Sequence, residues 1–478
     1  MAPGFLSRFG AGLFSTSIYS NYLWSILNLV LSKGLRFAGI LVCIRLVGTL
    51  TWGEITSTLV IVGFMAFLVD QGLNESPQVY RVHERGLDLP LIFKISLYRL
   101  GMACLVIACL HLSRLVSSLP SPLVLAYAFV LIPRSLNIDW FFHRRERYHL
   151  TMVINSFRAV LFFGMVALLV RKGSPAKTVI LIEIASEASG LIFSYILAGW
   201  SGLRNRTERI PLSLRHLLRF SAPMLLTTIV GTVPASIDII FLKFFSGNEA
   251  IGQYDIGGKI GSFYFFTGAT LIQIILPKLA RLHASASFGK IEDILGSSSK
   301  ILLVLTSLLL VPSFFFPSEI MTLIFKKNFP LAVYVFQWIP VWVYLSCMTM
   351  LNSIVLLATG RRREYFYGAV LCASTSLVGN WILISQFSGK GAVMAKILAE
   401  SVFLAYSLAK LPPEIKARCL RNMGLQLGNL ILLIGLFVLS THLGERGIFL
   451  ALSLGFCLAV VVHQRTFSRK TLASLMEN

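Results

Sequence analysis

The chain has 478 residues, 56% of them hydrophobic and only 13% charged, where soluble domains carry about 25% charged residues. That balance excludes a soluble globular domain and predicts an all-α polytopic membrane protein. The formal net charge of +22 lies in short clusters between apolar spans, a topology signal that excludes a nucleic-acid-binding face.

A hydrocarbon core about 30 Å thick takes about 20 apolar residues per helix. Residues 1–20 carry one charge, Arg8, among Phe5, Phe9 and Phe14. They read as an interfacial segment, since no small-residue cleavage site follows. About 14 transmembrane helices come next. Six spans near 22–48, 53–70, 90–112, 121–140, 150–170 and 178–199 form a first six-helix lobe over 21–200. A cytoplasmic inter-lobe linker is expected at 201–215. Six more, near 217–245, 253–277, 301–317, 333–359, 366–386 and 391–410, form a second lobe over 216–411. Two extra spans near 425–441 and 447–463 and a cytoplasmic tail fill 412–478.

With the N-terminus placed inside, the segments between spans carry 24 Lys and Arg on the inner side and 8 on the outer. This bias predicts a multi-pass protein of the cytoplasmic membrane with both termini cytoplasmic. An internal repeat supports the lobes. Arg144-Arg145-Glu146 returns as Arg362-Arg363-Glu364, and Lys172-Gly173 returns as Lys390-Gly391, both 218 residues on. Six spans per copy make the repeat parallel, with a substrate site expected between the copies near mid-membrane. The seven cysteines form no CxxC or His/Cys cluster, so neither a metal nor a cofactor is expected.

Eleven Lys and Arg remain inside the spans: Lys33, Arg36, Arg45, Lys94, Arg99, Arg134, Arg158, Arg219, Lys243, Lys259 and Lys396. Each costs roughly 2.5–3.5 kcal/mol on insertion scales and so faces a partner or a watery cavity. A cavity lined by positive charge suggests an anionic passenger.

Ser32-Lys33-Gly34-Leu35-Arg36, Ile44-Arg45-Leu46-Val47-Gly48, Trp52-Gly53 and Val69-Asp70-Gln71-Gly72-Leu73 resemble the opening of the oligosaccharide-lipid flippases. Pro133-Arg134 and Asn137-Ile138-Asp139-Trp140-Phe141-Phe142 resemble that family's fourth-helix end. Gly252-Gln253-Tyr254, Leu276-Pro277-Lys278-Leu279 and Ala358-Thr359-Gly360-Arg361 resemble its second-lobe landmarks. The likeness runs from about residue 18 to 410 and is specific only as a set. It departs at Asp70-Gln71-Gly72, where Leu or Phe is commoner in the middle. It implies the Wzx-like polysaccharide transporter branch of the multidrug/oligosaccharidyl-lipid/polysaccharide flippase superfamily. Two lobes would form a V and flip a polyprenyl-diphosphate-linked oligosaccharide for O-antigen, capsule or exopolysaccharide synthesis by alternating access. The implied partners are that glycolipid, membrane lipid, and polysaccharide polymerase and chain-length machinery.

Lys33 and Arg36 share a helix face. They read as diphosphate ligands or, structurally, as partners of acids in the same lobe. Lys94, Arg99 and Arg158 are deeper candidates for the same cavity. Arg134, Arg219 and Lys243 lie near helix ends, where long side chains snorkel. Arg45 lies near an end too, and with Asp70 it is a gate candidate. Glu183 and Glu187 must find cations or hold a proton. Asp255–Lys259 and Lys396–Glu400 are spaced four apart and read as local charge pairs or gates. The rival functions are a multidrug exporter of the same superfamily and a membrane glycan polymerase or ligase. An enzyme of that kind is disfavoured, because the longest predicted outside loop is roughly 15 residues and Glu319 is its only acid.

Overall fold

The structure, a computed structural model, describes residues 29–73, 89–116, 121–144, 147–200, 214–262, 275, 279, 282–283, 288–327, 329–443 and 447–455. Every regular element among them is helical, and ten helical stretches are long and apolar enough to cross a membrane. The protein is an all-α multi-pass membrane protein. It divides into two compact units, Met1–Ile229 and Val230–Asn478. The expected interfacial segment at 1–20 and most of the expected linker at 201–215 lie outside the described residues.

The first unit opens with a π-type turn, Leu29–Lys33, that runs into α1 (Gly34–Val47). Gly48, at φ 85°, redirects the chain into α2 (Thr49–Asp70). Two left-handed residues, Gln71 and Gly72, end α2. Gly72 is needed there twice over: its φ is 74°, and a Cβ would lie 2.8 Å from the carbonyl of Ser221. After α3 (Leu89–Val116), the predicted fourth span is broken into three helices. These are α4 (Pro122–Ala128), α5 (Leu131–Ser135) and α6 (Asp139–Arg144). Pro133 withholds a backbone donor, and Asn137 turns the chain by accepting the Asp139 N–H at 2.7 Å. Ile138, Trp140, Phe141 and Phe142 of this broken span bury themselves against Ile92 and Ile95 of α3. Next come α7 (Tyr148–Leu169) and α8 (Ala176–Trp200), which pack together; α7 also lies along α1. The long helix α9 (Leu214–Phe245) contains Ser221 and, further on, the division between the units.

The second unit contains α10 (Gly247–Ser262), α11 (Phe288–Phe315), α12 (Pro317–Phe325) and α13 (Pro330–Ala358). It continues with α14 (Arg362–Phe387), α15 (Gly389–Ala409) and α16 (Pro413–Leu443). α11 begins at Phe288, well before the predicted 301. Its first turns are amphipathic rather than apolar, burying Ile291, Ile294 and Leu295 on one face, so a hydropathy window misses them. α13 is the central helix, packed against α10, α11 and α15. The first extra helix, α16, belongs to this unit through both oil and polar contacts. Met423, Leu430 and Leu433 join Leu310, Phe314 and Tyr344 in one core. Gln426 donates to the Ser299 carbonyl at 2.9 Å, and Asn429 donates to Ser307 Oγ at 2.6 Å and Tyr344 OH at 3.3 Å. Interhelical hydrogen bonds of this kind contribute about 0.6 kcal/mol each in membranes. Asn429→Ala should therefore lower stability by about 1 kcal/mol in a thermal melt of the purified protein, and an unchanged melt would remove this anchoring role. Residues 447–455 are helical, and the rest of the last predicted span lies outside the described residues.

Candidate functional site

Four arginines and four carboxylates of the first unit meet in one network. Arg36 of α1 pairs with Glu183 of α8. Arg134 of α5 reaches the same Glu183 oxygen at 4.0 Å and Glu187 at 3.5 Å. Arg158 of α7 lies 3.9 Å from Glu187 and 3.5 Å from Asp139. Asn137 donates to Asp139 at 3.0 Å, and the Asn137 and Arg134 carbonyls accept from Arg99 of α3 at 3.3 and 3.1 Å. Arg99 closes the chain on Asp70 at 2.9 Å. The break in the fourth span thus has a use: carbonyls that a continuous helix would consume are left for a guanidinium. Gly190 opens room for another, since a Cβ there would lie 2.2 Å from Arg158 Nε.

The network is charge-balanced, as the insertion cost requires. Its burial is not even. Glu183 is 6% exposed and Glu187 14%, while Arg36 and Arg134 keep 33% and 32% of their side chains exposed. The carboxylates are the buried members, and the two arginines that they hold each keep about a third of the side chain exposed. Arg36 also rests on the Phe162 ring, 5.4 Å from its centroid, and Arg134 donates to Tyr127 OH at 3.3 Å. Planar guanidiniums held in this way suit a bidentate phosphate-type anion.

Of the expected set, the structure brings together Arg36, Arg99, Arg158, Glu183, Glu187 and Asp70. Lys33, Arg45 and Lys94 are exposed side chains. Arg45 lies in the last turn of α1 and Asp70 in the last turn of α2. Arg134, read as a snorkelling residue, is instead a member of the network, because the broken span turns it inward. Asp139 enters with it.

The second unit holds a separate charged node. Lys396 of α15 was expected to pair with Glu400, but it forms its ion pair with Asp238 of α9. It also donates to the Ala235 carbonyl at 3.1 Å and lies over the rings of Tyr254 and Trp342 at 5.9 and 5.6 Å. Tyr254 of α10 donates its hydroxyl to the same carboxylate. The tertiary contact wins over the four-residue spacing because Asp238, 1% exposed, has to be neutralised. Asp255 and Lys259 do pair along α10, at 3.4 Å. Asp238 was not among the sequence candidates. The signal was present, an acid between Ile237 and Ile239 deep in a span.

A family model described as "Polysaccharide biosynthesis protein" matches residues 18–283. The chain is 22% identical over 235 residues to the probable low-salt glycan biosynthesis flippase Agl15 of Haloferax volcanii, covering 47% of this chain and 49% of that protein. The match thus spans about half the length of that curated relative. Among solved structures, the chain resembles the lipid II flippase MurJ in its inward closed conformation. The TM-score is 0.67 at 12% identity, over 94% of this chain and 99% of the other. It also resembles a MATE protein in complex with MaL6, with a TM-score of 0.57 at 11% identity over 84% and 96% of the two chains. At these identities the structural likeness is one of fold. The matches bear out the resemblance drawn above from the residues.

Proposed function

The chain belongs to the polysaccharide biosynthesis protein family, and from that premise we propose that it flips a polyprenyl-diphosphate-linked oligosaccharide across the cytoplasmic membrane. The product would feed a surface polysaccharide, whether O-antigen, capsule or exopolysaccharide. The observation that carries this reading is the Arg36–Glu183–Arg134 arrangement, two arginines from different helices that meet on one buried carboxylate while each keeps about a third of its side chain exposed. A diphosphate offers two adjacent anionic groups to such a pair, and Arg pairs each bidentately. The saccharide would follow the diphosphate while the polyprenyl chain stays in lipid. Transport by alternating access needs no covalent step, so the protein acts as a transporter rather than an enzyme. Both termini face the cytoplasm on this reading. The names of the glycan relative and of MurJ, both flippases, point the same way. Export of cationic drugs by the same fold is disfavoured, because the exposed members of the network are arginines.

The test is reconstitution into lipid vesicles with a fluorescent polyprenyl-diphosphate saccharide and a membrane-impermeant quencher. Protein-containing vesicles should expose the inner-leaflet probe, and protein-free vesicles should not. Equal protection in both, with export of a cationic dye by the same preparation, would overturn the reading in favour of a drug exporter.

A further inference from the structure

Cations gather at one end of the second unit, where two interhelical turns meet. Residues 361–364 and 410–421 carry seven Lys and Arg against two acids, Glu364 and Glu414, so this end is strongly positive. The fold ties the two turns together. Arg361, just before α14, donates to the Lys410 carbonyl at 3.1 Å, and Lys416 of α16 donates to the Ala409 carbonyl at 3.2 Å. These carbonyls end α15, where a helix leaves its acceptors unsatisfied and a cation suits its dipole. Lys410 lies 3.6 Å from Glu364, which also accepts the Tyr406 hydroxyl at 2.8 Å. Beneath them Leu411 and Ile415 are buried in one cluster with Val355 and Leu356 of α13. Arg361 and Lys416 thus serve the fold. Arg362 and Arg363 are exposed and, among the described residues, pair with no carboxylate.

The depth of this end follows from its surroundings. Tyr365, Tyr367 and Tyr406 lie here, and tyrosine is enriched at the membrane–water interface. Arg363 stands one turn before Tyr367 and heads an exposed stripe on α14 that continues through Leu371, Ser374 and Val378. Such a stripe faces acyl chains, which sets the arginine at headgroup level. The 31 residues of α16 measure about 46 Å at 1.5 Å per residue, against a hydrocarbon core of about 30 Å. A helix of that length extends past the core, and its first turns are amphipathic, with Ile415 and Cys419 buried and Arg421 exposed.

We propose that this end of the second unit is a binding site for the phosphodiester headgroup of an anionic phospholipid, with Arg362 and Arg363 as its main contacts and Lys410 beside them. Each guanidinium pairs phosphate oxygens bidentately, and the acyl chains lie along the Tyr367–Val378 stripe. A basic cluster directly beyond a membrane helix attracts anionic lipid. On the topology proposed above, this end faces the anionic cytoplasmic leaflet. The bound headgroup offsets the repulsion among the gathered cations and holds the start of α14 at a fixed depth. The site does not rest on the flippase reading, and its occupancy is measured without transport.

Native mass spectrometry of the full-length protein, titrated separately with phosphatidylglycerol and phosphatidylcholine, tests the proposal. The wild type should bind phosphatidylglycerol the more tightly. The pair Arg362→Gln with Arg363→Gln leaves the Arg361 and Lys416 ties in place and should weaken that binding roughly 10- to 30-fold, with phosphatidylcholine unaffected. Lys326→Gln with Lys327→Gln removes as much charge from exposed residues at the opposite end of α13 and should leave phosphatidylglycerol binding intact. Equal losses in the two double variants would reduce the effect to net charge and overturn the site. So would a wild type that binds both lipids alike, or one whose phosphatidylglycerol is displaced by inorganic phosphate, which would assign the cluster to a soluble anion. Should the glutamine pair fail to fold, Arg362→Gln and Arg363→Gln alone should each weaken binding about fivefold; unchanged affinity in both is equally fatal.

Discussion

Arg36→Ala should abolish export of the lipid-linked saccharide, and Arg36→Lys should restore only part of it, because a point charge lacks the bidentate fork. Loss alone is ambiguous, since removing Arg36 also leaves Glu183 with the 4.0 Å contact to Arg134. A fully buried pair broken in this way costs about 3–5 kcal/mol. Arg36 keeps a third of its side chain exposed, so roughly 1–3 kcal/mol is expected here. The double variant Arg36→Met with Glu183→Leu separates the two roles. Replacing both members of an ion pair by apolar residues of similar size is often neutral in stability, and Arg134 still has Glu187 at 3.5 Å. The double variant should melt like the wild type yet remain inactive in the vesicle assay. Recovered flipping would show that Arg36 serves only the fold.

Lys396→Met should be the most destabilising single change in the second unit, costing about 3–5 kcal/mol. It leaves Asp238, 1% exposed, with the Tyr254 hydroxyl and the Ile239 N–H as neutral donors. Asp238→Asn should cost less, because the freed ammonium lies one turn from Glu400 and can turn to it. Chemical or thermal unfolding of the two purified variants measures this asymmetry. If the two costs are equal, Glu400 does not serve as the second partner.

What the residues disclosed follows a physical pattern. The spans and the inward Arg36, Arg99 and Arg158 were legible because the price of burying charge in lipid applies to each residue by itself, whatever its neighbours. Glu183 and Glu187 were legible for the same reason. Partners were not, because ion pairing in this fold is tertiary: Arg36 and Glu183 lie 147 residues apart, and Lys396 and Asp238 lie 158 apart. The rule for residues four apart found Asp255–Lys259, which pair at 3.4 Å. It failed for Lys396, which pairs instead with Asp238 of another helix. The break at Pro133–Asn137 hid Arg134 and Asp139, since a continuous span would have carried Arg134 to a membrane face.

The separation between Arg36 and Glu183 also bears on how the chain is made. Arg36 lies in α1 and Glu183 in α8, 147 residues later. At about 5–20 residues per second, synthesis leaves the arginine without this counter-ion for roughly 7 to 30 seconds. During that interval α1 carries an insertion cost of about 2.5–3.5 kcal/mol for this one charge. Premature termination before α8 should therefore yield fragments that the cell degrades rather than stably inserted half-lobes.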